Sequence, residues 1–260
     1  MGAAYFERLG PTRFRATEHT SGAWQVSEQH IAPALGLLAH CIERDRDARR
    51  PDGLIVGRLS YDILGTVPVG EVEVATRVLR PGRTIDLVEA TMTYADRAIV
   101  RARAWLMATA DTMSIAGGAL PAVPGPQECE PWAMRDVWPG GFIGGVEVRR
   151  QVLGPGRSVA WVRTPVPLLA DESVSTHARW AGLLDITNGV AVRADPRDVL
   201  FPNVDLTAHF VRSPVGEWAG FDVTVIFGGD GLGVTHTILH DAAGPLGTQS
   251  QLLTVRPRHQ

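Results

Sequence analysis

Between Glu28 and about Asp45, apolar residues fall at Ile31, Ala34, Leu35, Leu38, Cys41 and Ile42. This is the three- and four-residue spacing of an α-helix. Leu37 and Ala39 widen the stripe, so the helix is covered on most sides. Ser27 ahead of Glu28 supplies a cap and an acidic first turn. From Val174 to Gly189 the pattern returns, with Ala178, Trp180, Ala181, Leu184 and Ile186 on the stripe and Gly189 as a stop. Each helix is followed by alternating runs. Val72, Val74, Thr76 and Val78 alternate with Glu71, Glu73, Ala75 and Arg77, and Ala102, Ala104 and Leu106 alternate with Arg101, Arg103 and Trp105. Period two is the mark of a half-buried strand. Pro81-Gly82, Ala95-Asp96, Gly229-Asp230-Gly231 and Ala243-Gly244-Pro245 punctuate the runs. Connections this short imply antiparallel pairing.

The two halves also share local sequence. Gly36-Leu37-Leu38 recurs as Gly182-Leu183-Leu184, and Pro68-Val69-Gly70-Glu71 as Pro214-Val215-Gly216-Glu217, both at an offset of 146 residues. A long apolar helix with a long antiparallel sheet has a compact solution, in which the sheet curls around the helix. The expected class is therefore α+β with an internal repeat. Ser114 to Gly141 is rich in Gly and Pro and reads as a linker, with Trp132 and Trp138 packing it onto the surface. The expected organisation is an N-terminal unit at 1–112, a linker at 113–141 and a C-terminal unit at 142–260.

Composition narrows the chemistry. All 25 Lys+Arg residues are arginine, which removes the phosphate-loop lysine and Schiff-base catalysis. A net charge of −3 provides no basic excess for nucleic acid. Two cysteines, Cys41 and Cys129, make neither a metal knuckle nor a disulfide framework. Met1 to Leu9 has no apolar core of a signal peptide, and no run of 18 apolar residues occurs, so a cytoplasmic protein without a membrane span is expected. No serine sits in GxSxG, and HExxH is absent. Gly228-Gly229-Asp230-Gly231-Leu232-Gly233 lies between two strand-like runs and reads as a hairpin turn, not a phosphate loop. His236 and His240 share a strand face but lack a third ligand, and read as exposed strand histidines.

Asn203-Val204-Asp205-Leu206-Thr207-Ala208-His209-Phe210, Pro214-Val215-Gly216-Glu217-Trp218 and the closing Gln251-Leu252-Leu253-Thr254-Val255-Arg256-Pro257 resemble the thioesterase-like proteins of actinobacteria. Gln29-His30, Arg77-Val78-Leu79-Arg80-Pro81-Gly82-Arg83 and Ala102-Arg103-Ala104 fit the same family. These proteins are tandem (double) hotdogs related to bacterial type II acyl-CoA thioesterases. The resemblance implies hydrolysis of a fatty or related acyl-CoA without metal or redox cofactor, and at least a homodimer. An Asp, a Thr and a Gln of the second hotdog hold the hydrolytic water in such enzymes. The Asp matches Asp205 and the Gln matches Gln251. The threonine's place falls at Val225 or Ile226, and the adjacent Thr224 points to the opposite face. His30, Arg58 and Arg80 are the residues assigned to substrate. Ile31-Ala32-Pro33 stands where relatives often carry glycines.

The residues alone make a similar case. With no activated Ser or Cys the nucleophile is water, which Asp205 could deprotonate and Gln251 could fix. Orphan N–H groups at a helix start could take the oxyanion, and arginines the CoA phosphates. Alternation, however, puts Asp205 on the solvent side, opposite Leu206, Ala208 and Phe210. Two other readings stay open: a non-catalytic acyl-binding or regulatory hotdog protein, and a hydratase built on an Asp–His pair. For the latter, His30 stands at the helix start without an adjacent Asp.

Overall fold

A computed structural model describes residues 4–258, so the outermost residues of the two expected units lie outside it. The first half contains β1 (Phe6–Arg8), β2 (Arg13–Ala16), α1 (Ile31–Arg49), β3 (Ile55–Ile63), β4 (Glu71–Arg80), β5 (Ile85–Tyr94) and β6 (Arg97–Met107). The connecting stretch adds β7 (Glu130–Pro131) and the short α2 (Gly141–Gly144). The second half follows with β8 (Glu147–Gly154), β9 (Arg157–Arg163), α3 (Thr176–Ala181), α4 (Thr187–Val190) and β10 (Val199–Leu200). It ends with β11 (Asp205–Phe210), β12 (Ala219–Phe227), β13 (Leu232–Asp241), β14 (Gly244–Thr254) and β15 (Arg256–Pro257).

One 13-stranded sheet runs β1-β2-β4-β5-β6-β3-β11-β14-β13-β12-β9-β8-β7. From β2 to β9 this order is a palindrome of the two halves, joined where β3 pairs antiparallel with β11 through Leu59 opposite Ala208 and Tyr61 opposite Leu206. Two antiparallel sheets wrapped around central helices and fused side by side make the double hotdog that the resemblance implies.

α1 is buried nearly all round, with Ala34, Leu35, Leu37, Leu38 and Ile42 at 0% exposure. It packs against the inward residues of its own sheet, Val72, Val74, Val88, Ala90, Ala102 and Ala104. It starts at Ile31, three residues later than the Ser27 cap implied, because residues 28–30 are held in extended pairing. Gln29 N–H donates to Val67 O at 2.8 Å and His30 N–H to Thr20 O at 2.7 Å. His30 itself becomes the cap, its Nδ1 accepting from Ala32 N–H at 3.1 Å.

The second helix also departs from its sequence pattern. Ser175 caps α3 as a hydroxyl should, but the helix stops at Gly182 and continues as a 3-10 turn at Leu184–Ile186 and then as α4. Gly182 and Gly36, the repeated glycines, meet where the two helices cross. A Cβ on Gly36 would lie 2.9 Å from both Gly182 Cα and Ala178 O. No side chain fits there, and this close approach explains why the motif recurs. Gly36→Ala is expected to destabilise the fold by about 1–3 kcal/mol through overpacking. The change should appear as a lower urea midpoint at unchanged slope.

The Gly/Pro-rich stretch divides in two. Ala108 to Ala122 is exposed, whereas Met134, Trp138, Phe142 and Ile143 are buried in the common core. Gly228–Leu232 is the expected hairpin turn, closed by Gly228 N–H on Leu232 O at 2.8 Å. His236 is exposed but His240 is buried, and no group of three metal-ligating side chains occurs among the described residues. No helix among the described residues is long and apolar enough to cross a membrane.

Candidate active site

A cavity of about 450 Å³ opens between the N-terminus of α1 and the broken second helix. Trp24, Ile63, Leu64, Met134, Trp138, Ile186 and Leu200 give it an apolar wall. The aromatic side is rigid: Trp24 meets Trp138 edge-to-face at 4.9 Å and Phe201 at 5.2 Å. Trp138 is tied to α4 by its Nε1–H on Gly189 O at 3.2 Å. The buried part of the connecting stretch is thus a wall of the cavity and not surface packing.

Polar groups converge at one end: Asp185, Asn203, Gln29 and His30 all line the cavity. The Asp185 carboxylate is buried, and its Oδ1 accepts from Asn203 Nδ2 at 2.6 Å and from Gln251 Nε2 at 3.1 Å. Burial pushes this carboxyl up to about 7, against the pull of the two amide donors. Oδ2 takes neither amide. It lies 3.7 Å from His30 Nδ1, but this contact is not an ion pair. Burial drives the imidazole down to about 3, and Nδ1 is already the acceptor for Ala32 N–H. His30 is therefore neutral, with its proton on Nε2. Phe142 backs the ring at 4.4 Å.

Thr66 is the one hydroxyl side chain lining the cavity. Neither cysteine lines it, and burial pushes the Cys41 thiol up to about 12. The arrangement offers a base that titrates near neutrality, a fixed amide pair and the Ile31 N–H at the start of a long helix, but no protein nucleophile with a partner base.

Gln251 does not line the cavity but reaches its polar end from behind, on the inner face of β14 and 1% exposed, through its bond to Asp185. Asp205 does not join it. Its carboxylate accepts from Leu252 N–H at 2.6 Å on the outer side of the sheet, while Gln251 points inward. The alternation that put Asp205 on the solvent side is what the strand adopts, and the carboxylate that meets Gln251 is that of Asp185. Thr224 faces outward on β12, opposite His236 and Arg157. The hydroxyl that meets Gln251 is Thr187, whose Oγ1–H donates to Gln251 Oε1 at 2.6 Å. Arg58 lies on the outer face of β3, between inward Leu59 and the next strands. Arg80 donates to Ile85 O at 2.9 Å and stacks toward Trp105. Neither arginine lines the cavity, whereas His30 does. Asp185, Thr187 and Asn188 carried a signal of their own, three polar residues in succession around Ile186 inside an otherwise apolar helical stripe.

Fold and cavity together define a double-hotdog scaffold with a single polar end. Residues 20–107 match the family model of the acyl-CoA thioesterase N-terminal domain and residues 126–255 that of the C-terminal domain. The chain belongs to this acyl-CoA thioesterase family and is a thioester hydrolase with acyl-CoA as its substrate class. The second match begins within the Gly/Pro-rich stretch, near where that stretch enters the core. Among solved structures, the acyl-CoA thioesterase II TesB2 of Mycobacterium marinum is 18% identical with a TM-score of 0.68, over 98% of this chain and 96% of that one. The tesB protein of Mycobacterium avium subs paratuberculosis is 16% identical with a TM-score of 0.67, over 97% and 96%. A hot dog fold protein of unknown function from Alicyclobacillus acidocaldarius is 15% identical with a TM-score of 0.74, over 96% and 95%. At these identities the likeness establishes the fold. No curated protein matches the chain.

Proposed function

We propose that the protein hydrolyses a fatty or related acyl-CoA by direct attack of water, with Asp185 as general base. The observation that carries this reading is the buried carboxylate, lifted to about 7, at the polar end of an apolar cavity. The acyl chain lies among Trp24, Trp138, Met134 and Leu200. Asp185 Oδ2 takes a proton from the attacking water, while Gln251 and Asn203 hold Oδ1 and so fix the plane of the carboxylate. The oxyanion forms against Ile31 N–H at the start of α1, where the helix dipole favours negative charge. Collapse of the tetrahedral intermediate breaks the C–S bond and releases CoA thiol and free acid. Asp185 passes on its proton in that step.

The ionised form of Asp185 is the active one. kcat/KM should therefore fall on the acid side, with a limb centred near pH 7. The test of the reading is an acyl-CoA panel varied in chain length, branching and aromaticity, read by release of free thiol. Turnover of any member supports hydrolysis, and binding without thiol release supports the non-catalytic acyl-binding reading.

One contact favours a second reading. The fold brings Asp185 within 3.7 Å of His30, supplying the Asp–His pair that a hydratase needs and that the linear sequence lacks. A 2-enoyl-CoA in the same panel separates the two. Hydration removes the enoyl absorbance without releasing thiol.

A further inference from the structure

The Asp185 carboxylate is the end of a hydrogen-bond chain whose direction is set at its other end. Gln249 Nε2 donates to the Leu184 backbone carbonyl at 3.0 Å and to Thr187 Oγ1 at 2.9 Å. Thr187 then donates its proton to Gln251 Oε1 at 2.6 Å, and Gln251 Nε2 donates to Asp185 Oδ1 at 3.1 Å. All the side chains in this chain are buried.

The polarity follows by elimination. A backbone carbonyl can only accept, so the Gln249 amide must present its NH₂ to Leu184. Thr187 Oγ1 therefore receives a donor and has its single proton left for Gln251. Gln251 must then accept through Oε1, which leaves its NH₂ for the carboxylate. No member can flip without opposing two acceptors or two donors, an expensive defect in a buried network. The broken second helix makes this possible: its 3-10 turn at Leu184–Ile186 brings the Leu184 carbonyl to the Gln249 side chain.

We propose that Gln249 and Thr187 are positioning residues that orient the Gln251 amide and so tune the base. They touch neither the cavity nor the substrate; both are absent from the cavity lining. The inference rests on Asp185 being the base. The ionisable groups facing this site are few. His30 from α1 meets Oδ2, and Glu28 is the remaining ionisable residue in the cavity lining. From β14, Gln251 faces Asp185 while Gln249 faces the Leu184 carbonyl and Thr187, and from the segment before β11 it is Asn203 that meets the carboxylate. The Asp205 carboxylate points to the other side of the sheet.

Thr187→Val keeps the shape and removes the proton that pins Gln251. The amide can then turn its oxygen toward the protonated carboxyl and accept its proton, which favours the neutral form over the ionised one. kcat/KM should fall by roughly ten- to a hundredfold, the size of one hydrogen bond to a charged group, with KM nearly unchanged. The acid limb of the pH profile should move up by about one unit. Thr187→Ser retains the hydroxyl and should restore both rate and limb.

Carbon-13 NMR titration of the Asp185 carboxyl, assigned by its loss in Asp185→Asn, reads the same shift without turnover. It keeps a failure of the relay distinct from a failure of the hydrolase reading, which the acyl-CoA panel alone decides. If Thr187→Val does not fold, Gln249→Met carries the test, because it removes the donor that polarises Thr187. An upward shift in either folded variant, absent in Thr187→Ser, supports the relay. An Asp185 titration that stays at the wild-type midpoint in a folded Thr187→Val or Gln249→Met protein overturns it.

Discussion

Asp185→Asn lowers kcat by roughly 10²- to 10⁴-fold, the range expected when a positioned general base is removed. The substitution is isosteric, so the Trp24–Trp138 wall and the seam between halves are left intact. What disappears is the proton acceptor, and with it the neutral-range acid limb. Asp205→Asn is the matched control. Asp205 caps Leu252 N–H on the outer face, and an amide oxygen serves that bond nearly as well. Its kcat should stay at the wild-type value. Equal losses in the two variants, or none in either, would remove Asp185 from the chemistry.

The same substitution should stabilise the protein at alkaline pH. Asp185 has a folded-state value of about 7 against an ordinary 3.8, because burial disfavours its charge. Between these values the native state keeps the proton that the unfolded state has released. Stability therefore falls as pH rises through this window, and the loss is complete above the folded value. At 1.36 kcal/mol per unit, the charged carboxylate destabilises the fold by about 4 kcal/mol at pH 8 relative to acid. The replacing asparagine is neutral at every pH and escapes this window. Urea unfolding of both proteins at pH 5 and pH 8 measures the difference. The variant should gain on wild type by about 3 kcal/mol between pH 5 and pH 8, and a pH-independent difference would show that Asp185 does not titrate between them. A base that both lowers stability and sustains turnover is the usual trade at an active site.

The architecture was legible because it rests on periodicity. The inward Val72, Val74, Ala102, Ala104 and Leu106 follow from alternation, and the repeated Gly36 and Gly182 motifs mark the place where the two helices cross. The site was legible only in part. Of the residues the sequence points to, His30 lines the cavity and Gln251 contacts Asp185, whereas Asp185 and Thr187 lie in what reads as one continuous helix. A helical stripe sorts residues by the 3.6-residue turn, and that turn ends at Gly182. Beyond the break, a 3-10 turn and a single α turn set different side-chain directions, which local propensity does not report. Asp205 stands outside the cavity for a related reason. It has the right type and neighbourhood, but strand parity decides which face it serves, and parity already opposed it.

The palindromic sheet has a consequence for stoichiometry. In the second half the inward pairs across β13 and β14 are Thr235 with Gln251 and Thr237 with Gln249. At the mirrored place, across β5 and β6, they are Val88 with Ala104 and Ala90 with Ala102. Ala39, 146 residues before Asp185, stands where the carboxylate would be. Two identical single hotdogs paired about an axis would necessarily carry the polar pairs twice, because each copy must supply whatever the other does. Fusion into one chain lifts that obligation. One half has become a packed apolar mould for α1, and the other has accumulated the buried amides and hydroxyls. On this reading each chain processes one acyl group at a time, and changes to the first half's inner face alter stability without erasing a second catalytic centre.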